Sequence, residues 1–323
     1  KKSLADAVLL MMAIRDVTVE IIFLTQTVVG ILGNVFLLCH YTILYFTGCR
    51  SRSTDVILQH LVVANFLTLL SKGVPQAMAF GWERYPRDLG CKLFVFFHRV
   101  GRGMSMGSIC LLSVFQVITI SPPNSRWAEL KLKSPKFIVS SICLCWMLQM
   151  LVSIIFPLYM SGKVSDKNIT KKKDFGFCVA VRHDKVRDAL HTLLLLLPDV
   201  SCLGLMLWAS GYMVFLLYRH KQQVQHIRRK NTSCRSSPES RATKTILLLV
   251  SNFVYFYTLS SIFQIILNCL DNPSLLLVNI AAVMAALFPT VSPFLLVSRD
   301  ATARRFYFVW IRNAKSLAVI RSM

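Results

Sequence analysis

Acidic side chains are scarce in this sequence, 15 Asp and Glu against 37 Lys and Arg, and there is no low-complexity tract. A chain that is 54% hydrophobic over 323 residues, with a mean hydropathy of +0.55, is too apolar for an ordinary soluble domain. The formal charge of +22 raises nucleic acid as a partner, but the basic residues fall mostly between apolar runs. Membrane topology explains them more simply, so membrane lipid is the expected environment and no nucleic acid is expected. The marks of an enzyme are missing too: no His-Glu-x-x-His, no Gly-x-Ser-x-Gly and no phosphate-cradling glycine loop. No cofactor or metal is expected, since His60 and His191 lack metal-ligand spacing with any other residue. A cleavable leader is not well supported, because Asp6 breaks the short apolar stretch that continues from Ala7 to Ile14.

What is present is a set of seven apolar runs, each long enough to cross a bilayer, which takes roughly 20 residues. They lie near Val17–Tyr45, Asp55–Ala77, Lys92–Ile120, Phe137–Tyr159, Leu190–Tyr218, Thr243–Leu270 and Leu275–Val297. The predicted fold is all-α, a seven-transmembrane helix bundle over residues 17–297, preceded by an extracellular segment 1–16 and followed by a cytoplasmic tail 298–323. Within the tail, Ala301 to Ile311 mixes Arg304 and Arg305 with Phe306, Tyr307, Phe308 and Trp310, which suits a short helix in the membrane interface.

Lys and Arg are heavier on the side holding Arg126, Lys131, Lys133, Arg228, Arg229 and the tail, which makes that side cytoplasmic. Lys171-Lys172-Lys173 opposes the bias. Asn168-Ile169-Thr170, a glycosylation acceptor in the same loop, restores the assignment, because it is used only on the lumenal side. Asn231-Thr232-Ser233 matches the same pattern but lies in the basic third inner loop, and reads as unused.

Of the ten cysteines, Cys39, Cys110, Cys143, Cys145, Cys202 and Cys269 sit in or at the ends of spans, where the residue is usually a small buried hydrophobe. Cys49 and Cys234 fall on the reducing side. Cys91 and Cys178 both fall on the oxidising side, so a bridge between them is the economical pairing, with two free thiols as the alternative.

The third run carries the least expected residues: His98-Arg99-Val100-Gly101-Arg102-Gly103 inside a hydrocarbon-length helix. A cation there costs several kcal/mol unless it faces a polar interior. His98 and Arg102, four residues apart, share a face, while Gly101, Gly103 and Gly107 leave bare backbone for neighbouring helices. Arg99 reads as pointing to a different face and as more structural. Asp199, after Pro198 in the fifth run, is the carboxylate that Arg99 or Arg102 would pair with. His98, Arg102 and Asp199 are therefore the candidate ligand site, open to a small anionic or hydrogen-bonding organic molecule, with an internal ion pair as the alternative. Asn34 and Asn65 are expected to hydrogen-bond one another and nearby backbone. Pro157, Pro198, Pro289 and Pro293 interrupt spans and permit hinges or kinks.

Several strings together resemble one family. Gly90-Cys91-Lys92-Leu93, the His98 to Gly103 stretch, Gln116-Val117-Ile118-Thr119-Ile120-Ser121-Pro122, His60-Leu61-Val62-Val63-Ala64-Asn65-Phe66, Pro198-Asp199-Val200 and Phe288-Pro289-Thr290-Val291-Ser292-Pro293-Phe294 are similar to the vomeronasal type-1 receptors. The resemblance runs from about Arg15 to Asp300. It implies a G-protein-coupled pheromone receptor at the plasma membrane, with a pheromone-like small-molecule ligand and an inhibitory-type heterotrimeric G protein as partners. It fits a Cys91–Cys178 bridge and a glycan at Asn168. Rhodopsin-like marks are missing: Gln116-Val117-Ile118-Thr119 stands at the inner end of the third span, and Asn65 stands where a carboxylate is expected. The coupling surface is therefore placed on Arg126, Lys131, Lys133, Arg228 and Arg229. The segments before Arg15 and after Arg305 are longer than the family pattern.

The rival readings are a bitter-taste-type receptor, against which the Cys91 and third-span strings stand, and a transporter or channel. Transporters usually show internal repeats and polar lining on several spans. Here no repeat is visible, and the polar residues concentrate in one span.

Overall fold

The computed structural model describes residues 2–47, 53–81, 88–121, 134–154, 160–162, 172–174, 178–181, 185–228, 238–270, 274–299 and 303. Seven long helices dominate: α1 (Lys2–Phe46), α2 (Ser53–Gly81), α3 (Asp88–Ile120), α4 (Ser134–Ser153), α5 (Lys185–Arg228), α6 (Pro238–Cys269) and α7 (Leu275–Arg299). Each contains a segment long and apolar enough to span a membrane, from Val17–Phe46 in α1 to Leu276–Ser298 in α7. These segments overlap all seven apolar runs, but the fourth and sixth stop earlier than expected, at Ser153 and Phe263, and in α5 the apolar core, Leu197–Leu216, starts well inside a 44-residue helix. α1 is also longer than its span, continuing back to Lys2. Helix is the expected form, because in hydrocarbon every backbone N–H and C=O must be satisfied within the segment.

Between α4 and α5 lies an element that the apolar pattern does not announce. Three short strands, β1 (Met160–Gly162), β2 (Lys172–Asp174) and β3 (Cys178–Val181), form an antiparallel sheet in the order β1-β3-β2. Gly162 pairs with Cys178 and Asp174 with Val179, and β1 lies against α3. Runs of three or four residues are too short to show alternation, which is why Lys172-Lys173 reads as loop.

α3 is the central helix and touches α2, α4, α5, α6 and β1. Its glycines explain how neighbours come so close. A Cβ on Gly101 would sit 2.6 Å from Thr68 Oγ1 and 2.9 Å from the Ala64 carbonyl oxygen of α2, while one on Gly103 would run into the Gln149 amide of α4. Gly107 stands in the same way against Cys145. Without side chains here, the backbones approach and gain the dispersion contacts that hold helices together in lipid.

The asparagines do not pair with one another. Asn34 Nδ2 donates to the Gly30 carbonyl at 2.7 Å and to the Pro289 carbonyl at 2.9 Å. The second bond has a clear cause: Pro293 has no N–H to offer the carbonyl four residues back, and the Asn34 amide supplies the missing donor. Asn65 Nδ2 donates to Ser292 Oγ at 2.9 Å, and Asn65 Oδ1 accepts from Ser105 Oγ at 2.6 Å. One buried amide thus ties α2 to α3 and α7. The chain 301–311, expected as an interfacial helix, is outside the described residues apart from Ala303, and so is Pro157.

Candidate functional site

Counting along α3 from Cys91, the cations lie in the half nearer that cysteine, and the opposite half, down to Gln116 and Ile120, is close-packed. Cys91 is fully buried and held in a disulfide. Cys178 is placed by its backbone in β3, and its side chain is outside the described residues.

Asp199 enters from α5 and is met by two helices. Its Oδ2 lies 3.5 Å from Arg99 Nη2, with both side chains less than one-fifth exposed, and it accepts a 2.5 Å hydrogen bond from the Tyr257 hydroxyl of α6. Arg102 takes a different partner. Its guanidinium stands 4.6 Å above the Tyr257 ring, and Nη2 donates to Ser261 Oγ at 3.3 Å. Arg99, not Arg102, thus pairs with the carboxylate. The two arginines do not occupy different faces either: three residues turn a helix by about 300°, leaving them only about 60° apart. Both reach the same tyrosine assembly, one through its hydroxyl partner and one over its ring. A cation over an aromatic face is attracted by the ring quadrupole.

His98 lies on the α2 side of α3, with Nδ1 3.5 Å from the Thr68 carbonyl. It stands between two small cavities. One, about 30 Å³, is lined by His98, Arg102, Phe253, Tyr257, Met284 and Phe288 among others. The other, about 10 Å³, is bounded by Phe23, Lys72, His98 and Ala286. These volumes suit one or a few water molecules, whereas ligand pockets run to roughly 300–1,000 Å³. The site is therefore closed in this form, and an organic ligand has to part the side chains that line it.

The arrangement brings together the three predicted ligand residues but divides their roles. Tyr257, the residue on which they converge, is missed by sequence reasoning, because it sits in the run Tyr255-Phe256-Tyr257 with nothing to single it out. Lys72 is visible as an intramembrane cation, yet only the fold shows that it shares a cavity with His98. Asn168, Arg126, Lys131, Lys133 and Arg229 lie outside the described residues. Arg228 ends α5 by its backbone, and its side chain is likewise undescribed. Among the described residues no group of His, Cys, Asp or Glu is arranged to hold a metal ion.

A membrane bundle of seven helices with a largely buried charged cluster in the Cys91 half of its central helix has the architecture of seven-span receptors. The particular family is settled by comparison with known proteins. The model of the vomeronasal organ pheromone receptor family matches residues 17–309. Vomeronasal type-1 receptor 4 of Homo sapiens is 56% identical over 302 residues, covering 93% of this chain and all of that protein. Vomeronasal type-1 receptor 1 of Homo sapiens is 44% identical over 307 residues, 95% of this chain and 86% of that one. Olfactory receptor class A-like protein 1 of Danio rerio is 31% identical over 283 residues, 86% and 88% of the two chains. The chain belongs to the vomeronasal organ pheromone receptor family, whose members are chemosensory G-protein-coupled receptors, and it is a multi-pass membrane protein.

Proposed function

We propose that this receptor binds a small pheromone-like organic ligand in the extracellular half of its helix bundle and activates a heterotrimeric G protein of the inhibitory type. The observation that carries the reading is the Arg102–Tyr257–Asp199–Arg99 cluster, which joins α3, α5 and α6 beside a closed cavity. A ligand that engages Arg102 has to compete with Tyr257 and Ser261, so occupancy is coupled to the position of α6. A molecule shifts a conformational equilibrium only by its differential affinity for the two states, and these contacts supply such a difference.

In this reading the N-terminus is extracellular and the C-terminus cytoplasmic, with residues 1–16, 17–297 and 298–323 as outer segment, receptor body and tail. Cys178 is the disulfide partner of Cys91, which would fasten the β1–β3 loop over the mouth of the bundle. Asn168 carries a glycan. Arg126, Lys131, Lys133, Arg228 and Arg229 meet the G protein. The support for this orientation is the excess of Lys and Arg in the loops assigned to the inside, together with the Asn168-Ile169-Thr170 acceptor on the other side.

The test is guanine-nucleotide exchange on added ligand in membranes containing the receptor. Exchange supports the reading, and ligand-dependent ion or solute flux without exchange overturns it. Arg102→Gln at matched surface expression should move the ligand dose–response at least tenfold to higher concentration; an unchanged curve removes Arg102 from the site.

A further inference from the structure

Asp199 is the acid that α5 brings to the cations of α3, and it meets Arg99 and Tyr257. That leaves Lys72, His98 and Arg102 to be accounted for. Among acids whose side chains are described, Glu20 accepts from Asn279 Nδ2 at 3.2 Å and Asp55 stands near the start of α2, at the far end of that helix. Lys72 makes no hydrogen bond or ion pair with any described residue. Arg102 has only neutral partners, a phenol ring and a serine hydroxyl. His98 has one ring nitrogen near the Thr68 carbonyl, and Nε2 has no partner among the described residues.

A cation in the hydrocarbon layer is costly unless it pairs with an opposite charge or reaches water. Here two basic side chains and an imidazole, from α2 and α3, adjoin two cavities that share Thr68, His98 and Ala285. Apart from the hydroxyls of Thr68, Ser105, Tyr257 and Ser260, the lining is mostly apolar or aromatic, with Phe23, Leu69, Phe253, Met284 and Phe288. Such a site has donors for an anion and walls for a hydrocarbon.

We propose that Lys72, His98 and Arg102 form an anion site, and that the ligand class it admits is an apolar molecule bearing one anionic group such as a carboxylate or sulfate. This rests on the reading that the cavity is the ligand site, and it adds Lys72 as a binding residue. The negative group lies between the α2 ammonium and the α3 guanidinium, and the body lies toward α6 and α7, displacing the side chains that now close the space. A neutral ligand of the same shape leaves both cations without a counter-charge and binds more weakly.

The test uses the full receptor in nanodiscs of neutral phosphatidylcholine, with thermal unfolding as the readout and sodium decanoate as the probe, against methyl decanoate and decanol. Decanoate should raise the Tm saturably, and the two neutral analogues should not. Lys72→Met and Arg102→Gln should each raise the apparent Kd for decanoate at least tenfold, while Lys72→Arg retains binding. Should Lys72→Met fail to assemble, Arg102→Gln and Lys72→Arg still decide the matter. A second arm without decanoate replaces part of the lipid with phosphatidylserine. A Lys72-dependent shift there identifies a lipid headgroup as the source of the anion, and no shift identifies a soluble ligand. Equal stabilisation by methyl decanoate, or equal decanoate affinity in wild type and Lys72→Met, overturns the proposal. A neutral compound that drives nucleotide exchange alike in both forms overturns the anion site and leaves the receptor function standing. Decanoate binding with no exchange from any ligand strikes the receptor reading and leaves the anion site.

Discussion

The two sides of this bundle are built differently. On one side α1, α2, α3 and α7 are joined by bare backbone and mostly by amide and hydroxyl bonds: Gly101 against Thr68, Asn65 bridging Ser105 and Ser292, and Asn34 on the Pro289 carbonyl, with Glu20 on the Asn279 amide the charged member. On the other side α5 presents Gly204 and Gly211 with nothing within 4 Å of a Cβ. The share of the apolar window that is buried falls from 72% in α3 to 17% in α5. Asp199, Tyr257 and Ser261 carry side-chain polar links between α5, α6 and α3, and the Cys202 thiol of α5 lies against that of Cys110 in α3. The difference separates a frame knit by bare backbone and buried amides from two helices that pack on it through apolar side chains such as Met206, Met213, Leu249 and Phe253 and that carry the Asp199 and Tyr257 contacts. The proposed ligand site lies on the seam, where one small molecule can compete with the contacts that hold the second side.

That contrast can be broken most sharply at Gly101. Gly101→Val forces a branched side chain into the Ala64 and Thr68 backbone of α2, an overpacking that costs about 1–3 kcal/mol and more where backbone cannot yield. Surface expression measured by flow cytometry should fall by roughly tenfold or more; delivery at wild-type levels would show that the frame gives.

A smaller effect is expected at the seam. Asp199→Asn leaves Arg99 without its counter-charge, and Arg99→Gln leaves the carboxylate without its guanidinium. The double variant should be destabilised less than the sum of the two, with a coupling of about 1–3 kcal/mol in a thermal-unfolding cycle. A coupling near zero would mean that the 3.5 Å pair does not hold α5 to α3. The smallest effect belongs to the open face: Gly204→Val and Gly211→Val should each leave surface expression within about twofold of wild type, since neither new side chain meets a neighbour. Loss of expression there would reveal a partner on α5 and erase the contrast.

Much of the frame was legible in the residues. Seven hydrocarbon-length runs specify seven helices because lipid leaves the backbone no other economical form, and glycines beside cations in α3 mark where neighbours close in. The site was legible only in part. His98, Arg102 and Asp199 stand out because charge in an apolar run is costly, but Arg99 and Arg102 are so close in angle that periodicity cannot choose which one pairs with Asp199. Tyr257 is hidden for another reason: an aromatic residue in an apolar helix carries no cost, so its sequence position gives no sign that its hydroxyl is used. Asn34 is similar, since its partner is set by the lack of an N–H at Pro293, more than 250 residues away.

Arg102 lies eleven residues beyond Cys91, which is roughly 16 Å along the helix at 1.5 Å per residue. In the proposed orientation, an anion held there has crossed a good part of the membrane's electric field toward a negative interior. Moving a unit charge across the whole field is worth about 2.3 kcal/mol per 100 mV, so half the path amounts to roughly 1 kcal/mol against entry. Depolarisation removes that opposition. For an anionic ligand bound in that orientation, the depth of one arginine makes occupancy of the pocket sensitive to the electrical state of the cell that carries it.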